Sequence, residues 1–454
     1  MAMSHAPKNM KSPTCACTRV GLFTFSGIGR SPRENNEVVR LAWRGKCATI
    51  KIIIYTKRGE TVSQDFILEY HSSESLQQMQ ERMLAYIKHW SAYTVMHGNQ
   101  KVVTIYKDGT YNIHSNEMMP YNLYMEPVVE DDMEIRLQNL DNFYYWCASR
   151  VLTLDREYAK EILNSVGATQ ATTDRDRAKI ALTYHCLSLT DIYWAKESRD
   201  SVDFDKINLF TNHLEKAFVD VTLRGKQLTI QNSHLIADDL GTHGCYPKAW
   251  IRKDNTFWLM KDGGLDVVEN ELLASKICRC FNVNQVRYEE DYYDGQKVSI
   301  SKIITSLDES IVSMEHFNIY AMNHDINKME YILKLDAYSY YMMNIMDYLL
   351  GNTDRHWGNW GVLIDNQTNQ PIRLYDLMDF NKSFHSYDQI EGANCLTIDN
   401  AGAKKTQKEA AIEAVCKVGL NQIEEVSPHW FKNLEQREMF FERLELLKGY
   451  CKIS

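Results

Sequence analysis

The chain has 454 residues, of which 44% are hydrophobic and 24% charged, a composition typical of a globular protein with roughly two to four domains. Its formal net charge of −9 gives no general reason to expect binding to nucleic acid or to an acidic membrane. No apolar run approaches the ~20 residues that span a bilayer, and the 11 scattered cysteines are typical of the reducing cytoplasm rather than of a disulfide framework.

The first part of the chain predicts a leader and a small domain. Residues 1–35 lack the apolar stretch of a secretory signal, and we interpret them as a flexible leader. Residues 36–127 are predicted to form a small α+β N-terminal domain. It contains the strands ATIKIIIYT and QDFILEYHS, an amphipathic helix that ends near Trp90, and a hairpin, KVVTIYKDGTYNIHS, that turns at residues 107–109. We expect a docking or regulatory module, because this part shows no catalytic cluster.

Residues 128–225 are predicted to form a helical connecting region. The acidic run VVEDDMEIRL marks its start, and the segments DREYAKEILNSVG and TTDRDRAKIALTYHCL are interpreted as helices. Aromatic residues follow in an irregular stretch, and we expect them to pack in a core, because aromatic side chains dominate protein cores. They are Tyr193, Trp194, Phe204 and Phe210.

Residues 226–305 are predicted to form a strand-rich N-lobe and residues 306–454 a helical C-lobe. The first contains the hairpin AWIRKDNTFWLMKDGG, the helix VENELLASKICRCF and the strands QVRYEED and GQKVSISKII. The second contains KMEYILKLDAYSYYMMNIMDYLL, whose apolar residues surround it on most sides, as in a buried helix. This order predicts an α+β, bilobal, protein-kinase-like fold that follows the small α+β domain.

The segment GNTDRHWGNWGVLID carries the strongest chemical signal in the chain. Asp354 precedes Asn359 with the D-x-x-x-x-N spacing of kinase catalytic loops. In such loops the aspartate accepts the proton of the substrate hydroxyl and the asparagine holds Mg²⁺. His356 lies between them and is expected to support the loop or to contact the metal-bound phosphate. Taken singly, these residues could simply form turns.

Two aspartates compete for the role of second metal ligand. Asp379-Phe380-Asn381 resembles the DFG motif of kinases, and Asp376 follows an apolar strand in a similar way. We favour Asp379, but Asp376 stays open as the alternative. It would be the better placed of the two if the strand ended at Tyr375.

Lys261 is the predicted phosphate-binding lysine. It ends the second strand of the N-lobe hairpin, where a kinase places the lysine that pairs with the α- and β-phosphates of ATP. The following helix contains Glu269 and Glu271, and one of them should face Lys261. We prefer Glu271 because it lies further into the helix.

Two further segments are expected to contact ATP. Gly244 and Lys248 belong to a glycine-containing turn and the strand after it, whose backbone N–H groups could close over the phosphates. The adenine is expected against the strand that contains Ile300 and Lys302. The order of strand lysine, helix glutamate, D-x-x-x-x-N and strand aspartate is hard to obtain by chance, and it favours phosphotransfer with ATP and Mg²⁺.

These motifs resemble those of the HipA-like serine/threonine kinases, in particular the type found in Firmicutes. The HipA catalytic loop, N-x-D-x-H-x-x-N, is similar to residues 352–359, and the HipA lysine strand and D/E-N-E helix start are similar to WLMK and ENE in this chain. The resemblance covers about residue 140 to the C-terminus. HipA proteins carry a phosphorylatable serine in the glycine-containing turn, where this chain has other residues: Thr242, His243 and Cys245.

The resemblance implies transfer of the γ-phosphoryl group of ATP to a serine or threonine of a protein, with self-phosphorylation. It also implies an antitoxin or another regulatory partner, because HipA relatives act in toxin–antitoxin pairs.

Two alternatives stay open: a lipid or small-molecule kinase, since phosphoinositide kinases have a comparable N-x-D-R loop, and a nucleotide-binding pseudokinase that recruits a partner. The lack of an evident basic membrane patch argues against a lipid substrate, and the complete set of motif residues argues against a pseudokinase.

Overall fold

The computed structural model divides the chain into two units, Met1–Ile87 and Lys88–Ser454. In the first unit the structure describes four strands. In the second it describes residues 92–129, 132–151, 173–212, 248–254, 256–293, 295–385, 387–397 and 405–451. Most of the predicted leader, the predicted helices before Trp90 and after Leu154, and Gly244 therefore lie outside the described residues.

The first unit contains two antiparallel strand pairs. The predicted strands ATIKIIIYT and QDFILEYHS are confirmed, and they pair with each other. Cys47 lies opposite Glu69 at one end of the pair, and Tyr55 lies opposite Thr61 at the other end. In chain order the strands are β1 Val20–Gly21, β2 Leu41–Ala42, β3 Cys47–Tyr55 and β4 Thr61–Glu69.

A four-stranded antiparallel sheet begins the second unit. Its order is β7-β6-β5-β8, with β5 Ala92–His97, β6 Gln100–Tyr106, β7 Tyr111–Ile113 and β8 Tyr193–Glu197. The predicted turn at residues 107–109 is confirmed, since Tyr106 N donates to Thr110 O at 2.8 Å. Because β5 pairs with β8, this sheet combines strands expected in the N-terminal domain with one expected in the connecting region.

Three helices pack on the core of this sheet: α1 Met133–Ala148, α2 Asp174–Thr183 and α3 Phe204–Ile207. The predicted packing of the aromatic residues is confirmed, because Tyr193, Trp194 and Phe204 are buried in this core and Phe210 packs against it. Helix α2 begins after Thr173, whose side chain accepts a hydrogen bond from Asp176 N and so caps the helix.

The strand-rich lobe is a second antiparallel sheet, with the order β11-β12-β10-β9. The predicted hairpin is confirmed, and Asp254 in its turn has φ +54°. Helix α4 follows β10 directly and contacts β11 and β12. The elements are β9 Lys248–Lys253, β10 Thr256–Lys261, α4 Leu265–Cys278, β11 Tyr288–Tyr293 and β12 Gln296–Lys302.

The helical lobe contains a small antiparallel sheet of three strands, in the order β13-β14-β15. The predicted α+β fold, in which a strand-rich lobe precedes a helical lobe, is confirmed. In the described parts of the chain, no helix is both long and apolar enough to cross a membrane. The elements are β13 Glu309–Ser313, α5 Met314–Asn323, α6 Lys328–Leu350, β14 Gly361–Asp365, β15 Gln370–Leu374, α7 Gln407–Val418, a 3₁₀ turn at Pro428–Trp430, and α8 Leu434–Cys451.

The predicted buried helix is confirmed for the second part of α6, where every residue from Met342 to Leu350 is buried. The helix is kinked at Asp336, which has non-helical φ and ψ, and most residues before the kink are partly exposed. The helix ends at Leu350, and the next residue, Gly351, has φ +59° and so supplies the left-handed residue that commonly closes a helix. The predicted catalytic loop starts at this point and leads into β14. The loop therefore connects two buried elements, which restricts the positions of its side chains.

Gly361, the first residue of β14, provides a test of this packing. A Cβ atom at this position would lie 2.1 Å from Val312 O in β13, too close for the two strands to keep their pairing. We expect Gly361→Ala to lower the free energy of unfolding by about 1–3 kcal/mol, measured by urea denaturation. Gly449 is the matched control, because it is exposed in α8 and no atom lies within 4 Å of an added Cβ. Gly449→Ala should be neutral or stabilising, and equal effects of the two changes would contradict the packing described.

Candidate active site

A buried ion pair anchors the predicted catalytic loop. Arg355, next to the predicted catalytic aspartate, is 2% exposed, and its Nε lies 3.0 Å from Asp347 Oδ2 in the last turn of α6. The Nη2 of Arg355 and the side-chain amide of Asn352 both donate to Asp347 Oδ1, each at 3.1 Å. Burial raises the pKa of the Asp347 carboxyl, whereas the charge of Arg355 opposes this shift. The loop is thus held by charge-assisted hydrogen bonds inside the apolar lobe.

The same guanidinium connects the loop to the segment that carries Asp379. Arg355 Nη1 donates to Asn359 O at 2.8 Å and also to Met378 O. One arginine therefore holds the backbone of Asn359 and that of Met378, the residue before Asp379. It thereby connects the two segments that carry the predicted metal ligands. Sequence reasoning missed Arg355 and Asp347. The available signal was Asp347, a carboxylate in an otherwise apolar helix end that needs a charged partner.

Asp354 presents its carboxylate at the rim of the loop, where the side chain is 21% exposed. Its backbone N donates to Asn352 Oδ1 at 3.2 Å, and its carbonyl accepts from Asn359 Nδ2 at 2.9 Å. Lys382 Nζ lies 2.8 Å from its Oδ1. His356 is exposed and accepts a hydrogen bond from Gly358 N through Nδ1, so its ring contacts its own loop.

Lys261 lies at the centre of a second charged cluster. Its Nζ is 2.7 Å from Glu271 Oε1 and 2.9 Å from Asp379 Oδ1, and the lysine is 7% exposed. Ser299 Oγ donates to the other carboxylate oxygen of Glu271 at 2.5 Å. The predicted contact between Lys261 and Glu271 is confirmed. Glu269 instead pairs with Lys297 and Lys432.

The charges of this cluster shift its pKa values in opposite directions. Burial by itself lowers the pKa of Lys261, but Asp379 and Glu271 hold it well above its usual value. Burial raises the pKa of the Asp379 carboxyl, but Lys261, followed by Lys248, keeps it well below its usual range. Lys261 is therefore charged and Asp379 ionised at neutral pH.

Asp379 and Asp376, the two aspartates that the sequence left in competition, have different surroundings. β15 ends at Leu374, and the Asp376 carboxylate pairs with Arg373 at 2.8 Å. Asp379 has φ +62°, a conformation in which aspartate is more often found than most side chains, and its carboxylate faces Lys261. Asp379, rather than Asp376, is thus the aspartate next to the lysine.

Tyr288 was missed by the sequence analysis, although it joins the two lobes at this point. It begins β11, and its hydroxyl accepts from Asp379 N at 3.1 Å and contacts Lys261 Nζ at 3.3 Å. Its ring meets Phe380 edge to face, with 6.1 Å between centroids. A buried tyrosine at the start of a strand carries no motif, and only the fold shows its partners.

The remaining predicted nucleotide contacts are placed differently. Lys248 is the cross-strand partner of Lys261, so both side chains lie on one face of the sheet. On the other side of β10, Ser299 is the cross-strand partner of Lys261, so its side chain also lies on that face. Because side chains alternate along a strand, those of Ile300 and Lys302 lie on the face of the sheet opposite to Lys261.

No family model matches the chain, and no curated protein matches it significantly. Among solved structures it is similar to HipA of Shewanella oneidensis MR-1, from a toxin–antitoxin complex with HipB and operator DNA. The TM-score is 0.44 at 11% identity, over 79% of this chain and 96% of that one.

The chain is also similar to the proinflammatory kinase CtkA of Helicobacter pylori. Here the TM-score is 0.35 at 14% identity, over 45% of this chain and 90% of that one. HipA is thus among the structures to which the chain is similar, as the sequence motifs predicted.

Tyr288→Phe tests the link between the lobes. The change leaves the partly buried N–H of Asp379 without its acceptor, so we expect the free energy of unfolding to fall by about 1–3 kcal/mol. Tyr292→Phe is the matched control on the same strand, because Tyr292 is exposed and its hydroxyl bonds to Glu290 at the surface. It should change stability by less than about 0.5 kcal/mol. Urea denaturation of both variants makes the comparison, and a Tyr288→Phe variant as stable as the control would contradict the contact.

Proposed function

We propose that the protein is an ATP- and Mg²⁺-dependent kinase of the HipA-like serine/threonine type. The observation that carries this proposal is the single charged assembly formed by Lys261, Glu271 and Asp379, next to a loop that presents Asp354 and Asn359. Kinases use these residue types in this chain order for phosphoryl transfer.

Lys261 supplies the fixed positive charge for the α- and β-phosphates of ATP. Glu271 sets its position, and Ser299 in turn holds Glu271. Lys248 lies across the strand pair and adds a second positive charge on the same face of the sheet. In a largely buried site such charges interact more strongly with phosphate than they would in water.

Asn359 and Asp379 are the residues that would hold Mg²⁺. Asn359 donates its amide N–H to Asp354 O, which leaves its amide oxygen for another partner, and Asp379 is an ionised carboxylate. Both offer the hard oxygen donors that Mg²⁺ prefers, so the residues fit the ion. When bound, the ion would neutralise phosphate oxygens.

Asp354 orients the acceptor hydroxyl and takes its proton. Its carboxylate is accessible, while its backbone is held on both sides by Asn352 and Asn359. A serine or threonine of a protein as acceptor, and an antitoxin-like partner, follow from the resemblance to HipA proteins.

The first experiment compares wild type with Asp354→Ala after incubation with ATP and Mg²⁺, by intact mass spectrometry. We expect the wild type to gain one or more phosphates and the variant to lose transfer by about 10²–10⁴-fold, because it lacks the base. Thermal unfolding should hardly change, since the side chain is at the rim. A variant that melts far below wild type and binds no ATP would show that Asp354 is structural. ATP binding without transfer would favour the pseudokinase, and transfer only to lipid vesicles the lipid kinase.

A matched pair of variants separates the two aspartates. Asp379→Asn should weaken Mg²⁺-dependent binding of a fluorescent ATP analogue by about tenfold or more, because it removes a charged metal ligand. Asp376→Asn should bind like wild type, because Asp376 pairs with Arg373 instead. Titrations with and without Mg²⁺ measure this, and thermal melting checks that Asp379→Asn is folded. The reverse result would assign the metal to Asp376.

A further inference from the structure

Lys382 lies in the active site although no sequence motif assigned it a role. It follows Asp379-Phe380-Asn381, and its Nζ is 2.8 Å from Asp354 Oδ1. The backbone around it is bonded to the loop and to the end of α6, since Thr353 N donates to Lys382 O at 3.5 Å and Phe384 N donates to Leu350 O at 2.8 Å. The ammonium group is thus delivered to Asp354 by a segment that is itself held in place.

The two charged groups can be reached from solvent. The side chain of Lys382 is 34% exposed and that of Asp354 is 21% exposed. Arg355, although adjacent to Asp354, is buried against Asp347 and two backbone carbonyls and faces into the lobe. A partly exposed ion pair contributes little to stability, so we consider the positive charge that Lys382 places beside Asp354 for its effect on the chemistry of the site.

We propose that Lys382 is a catalytic residue that contacts the γ-phosphoryl group while it is transferred. This inference rests on the proposed function. In the reaction, a bond forms between the acceptor oxygen and the γ-phosphorus, and the bond from that phosphorus to the β–γ bridging oxygen breaks. ADP leaves with the electron pair, and the acceptor proton passes to Asp354.

The location of Lys382 suits this role for an electrostatic reason. The acceptor oxygen contacts Asp354, so the phosphoryl group that it attacks must come close to the same carboxylate. Two negative groups then approach each other, and charge is spread over the three non-bridging oxygens of the phosphoryl group. An ammonium group at Asp354 offsets this repulsion and stabilises the transition state more than the ground state.

The experiment must distinguish contact with the phosphoryl group from mere orientation of Asp354. Lys382→Gln keeps an N–H donor for Asp354 but removes the charge, Lys382→Arg keeps the charge, and Lys382→Met removes both. Lys448→Met is the matched control, because Lys448 in α8 is 35% exposed and lies 2.8 Å from Glu445. Single-turnover phosphorylation at saturating ATP, the Kd of ATP and the melting temperature are measured for each variant.

We expect Lys382→Met and Lys382→Gln to slow transfer by about 10²–10³-fold, the usual effect of removing one transition-state donor. Lys382→Arg should recover part of the rate. The Kd of ATP and the melting temperature should match those of Lys448→Met, which should transfer phosphate like wild type.

Two results would overturn the role of Lys382 while the kinase assignment stands. One is a wild-type rate in Lys382→Met. The other is full activity in Lys382→Gln with loss in Lys382→Met, which would make Lys382 a positioning residue for Asp354. If the wild-type protein itself binds ATP but transfers phosphate to no protein, lipid or water, the proposed function fails and this inference fails with it.

Discussion

The ion pair between Arg355 and Asp347 is the interaction on which the rest of the site depends. Two charges in an apolar lobe are costly unless each is fully paired. Here the guanidinium satisfies the carboxylate and two backbone carbonyls at once. Those carbonyls belong to the predicted catalytic loop and to the segment before Asp379. A buried helix, a loop and a strand end are thereby held in one arrangement.

The cluster around Lys261 connects the two lobes, just as the ion pair of Arg355 with Asp347 anchors the loop. Lys261 belongs to the strand-rich lobe and Asp379 to the helical lobe, and Tyr288 bonds to both. One ammonium lies between two carboxylates, Glu271 and Asp379, and Lys248 adds a second positive charge on the same face of the sheet. These positive charges keep Asp379 ionised where the two lobes meet.

Much of this was predictable because it depends on local patterns. Alternation and turn residues predicted the hairpin that turns at residues 107–109 and the hairpin that ends at Lys261, and helical spacing predicted the buried helix that ends at Leu350. The pairing of Lys261 with Glu271 was also predicted, because the strand and the helix that carry them are close together in the chain. The choice between Asp376 and Asp379 did not follow, because both come within a few residues of a strand end. The carboxylate of Asp376 is paired with Arg373, whereas Asp379 has a positive φ and its carboxylate faces Lys261. Ile300 and Lys302 were assigned to adenine from the strand alone, and the register of that strand puts their side chains on the other face.

The sequence by itself determined the α+β class, the order of the lobes and the candidate residues of the catalytic loop, because hydrophobic period and motif spacing are properties of short segments. Only the tertiary structure decided which partners meet. Arg355 with Asp347, Tyr288 with Asp379, and Lys382 with Asp354 join separate elements. Such contacts depend on how buried elements pack and on the need to pair each buried charge, and no local pattern encodes that geometry.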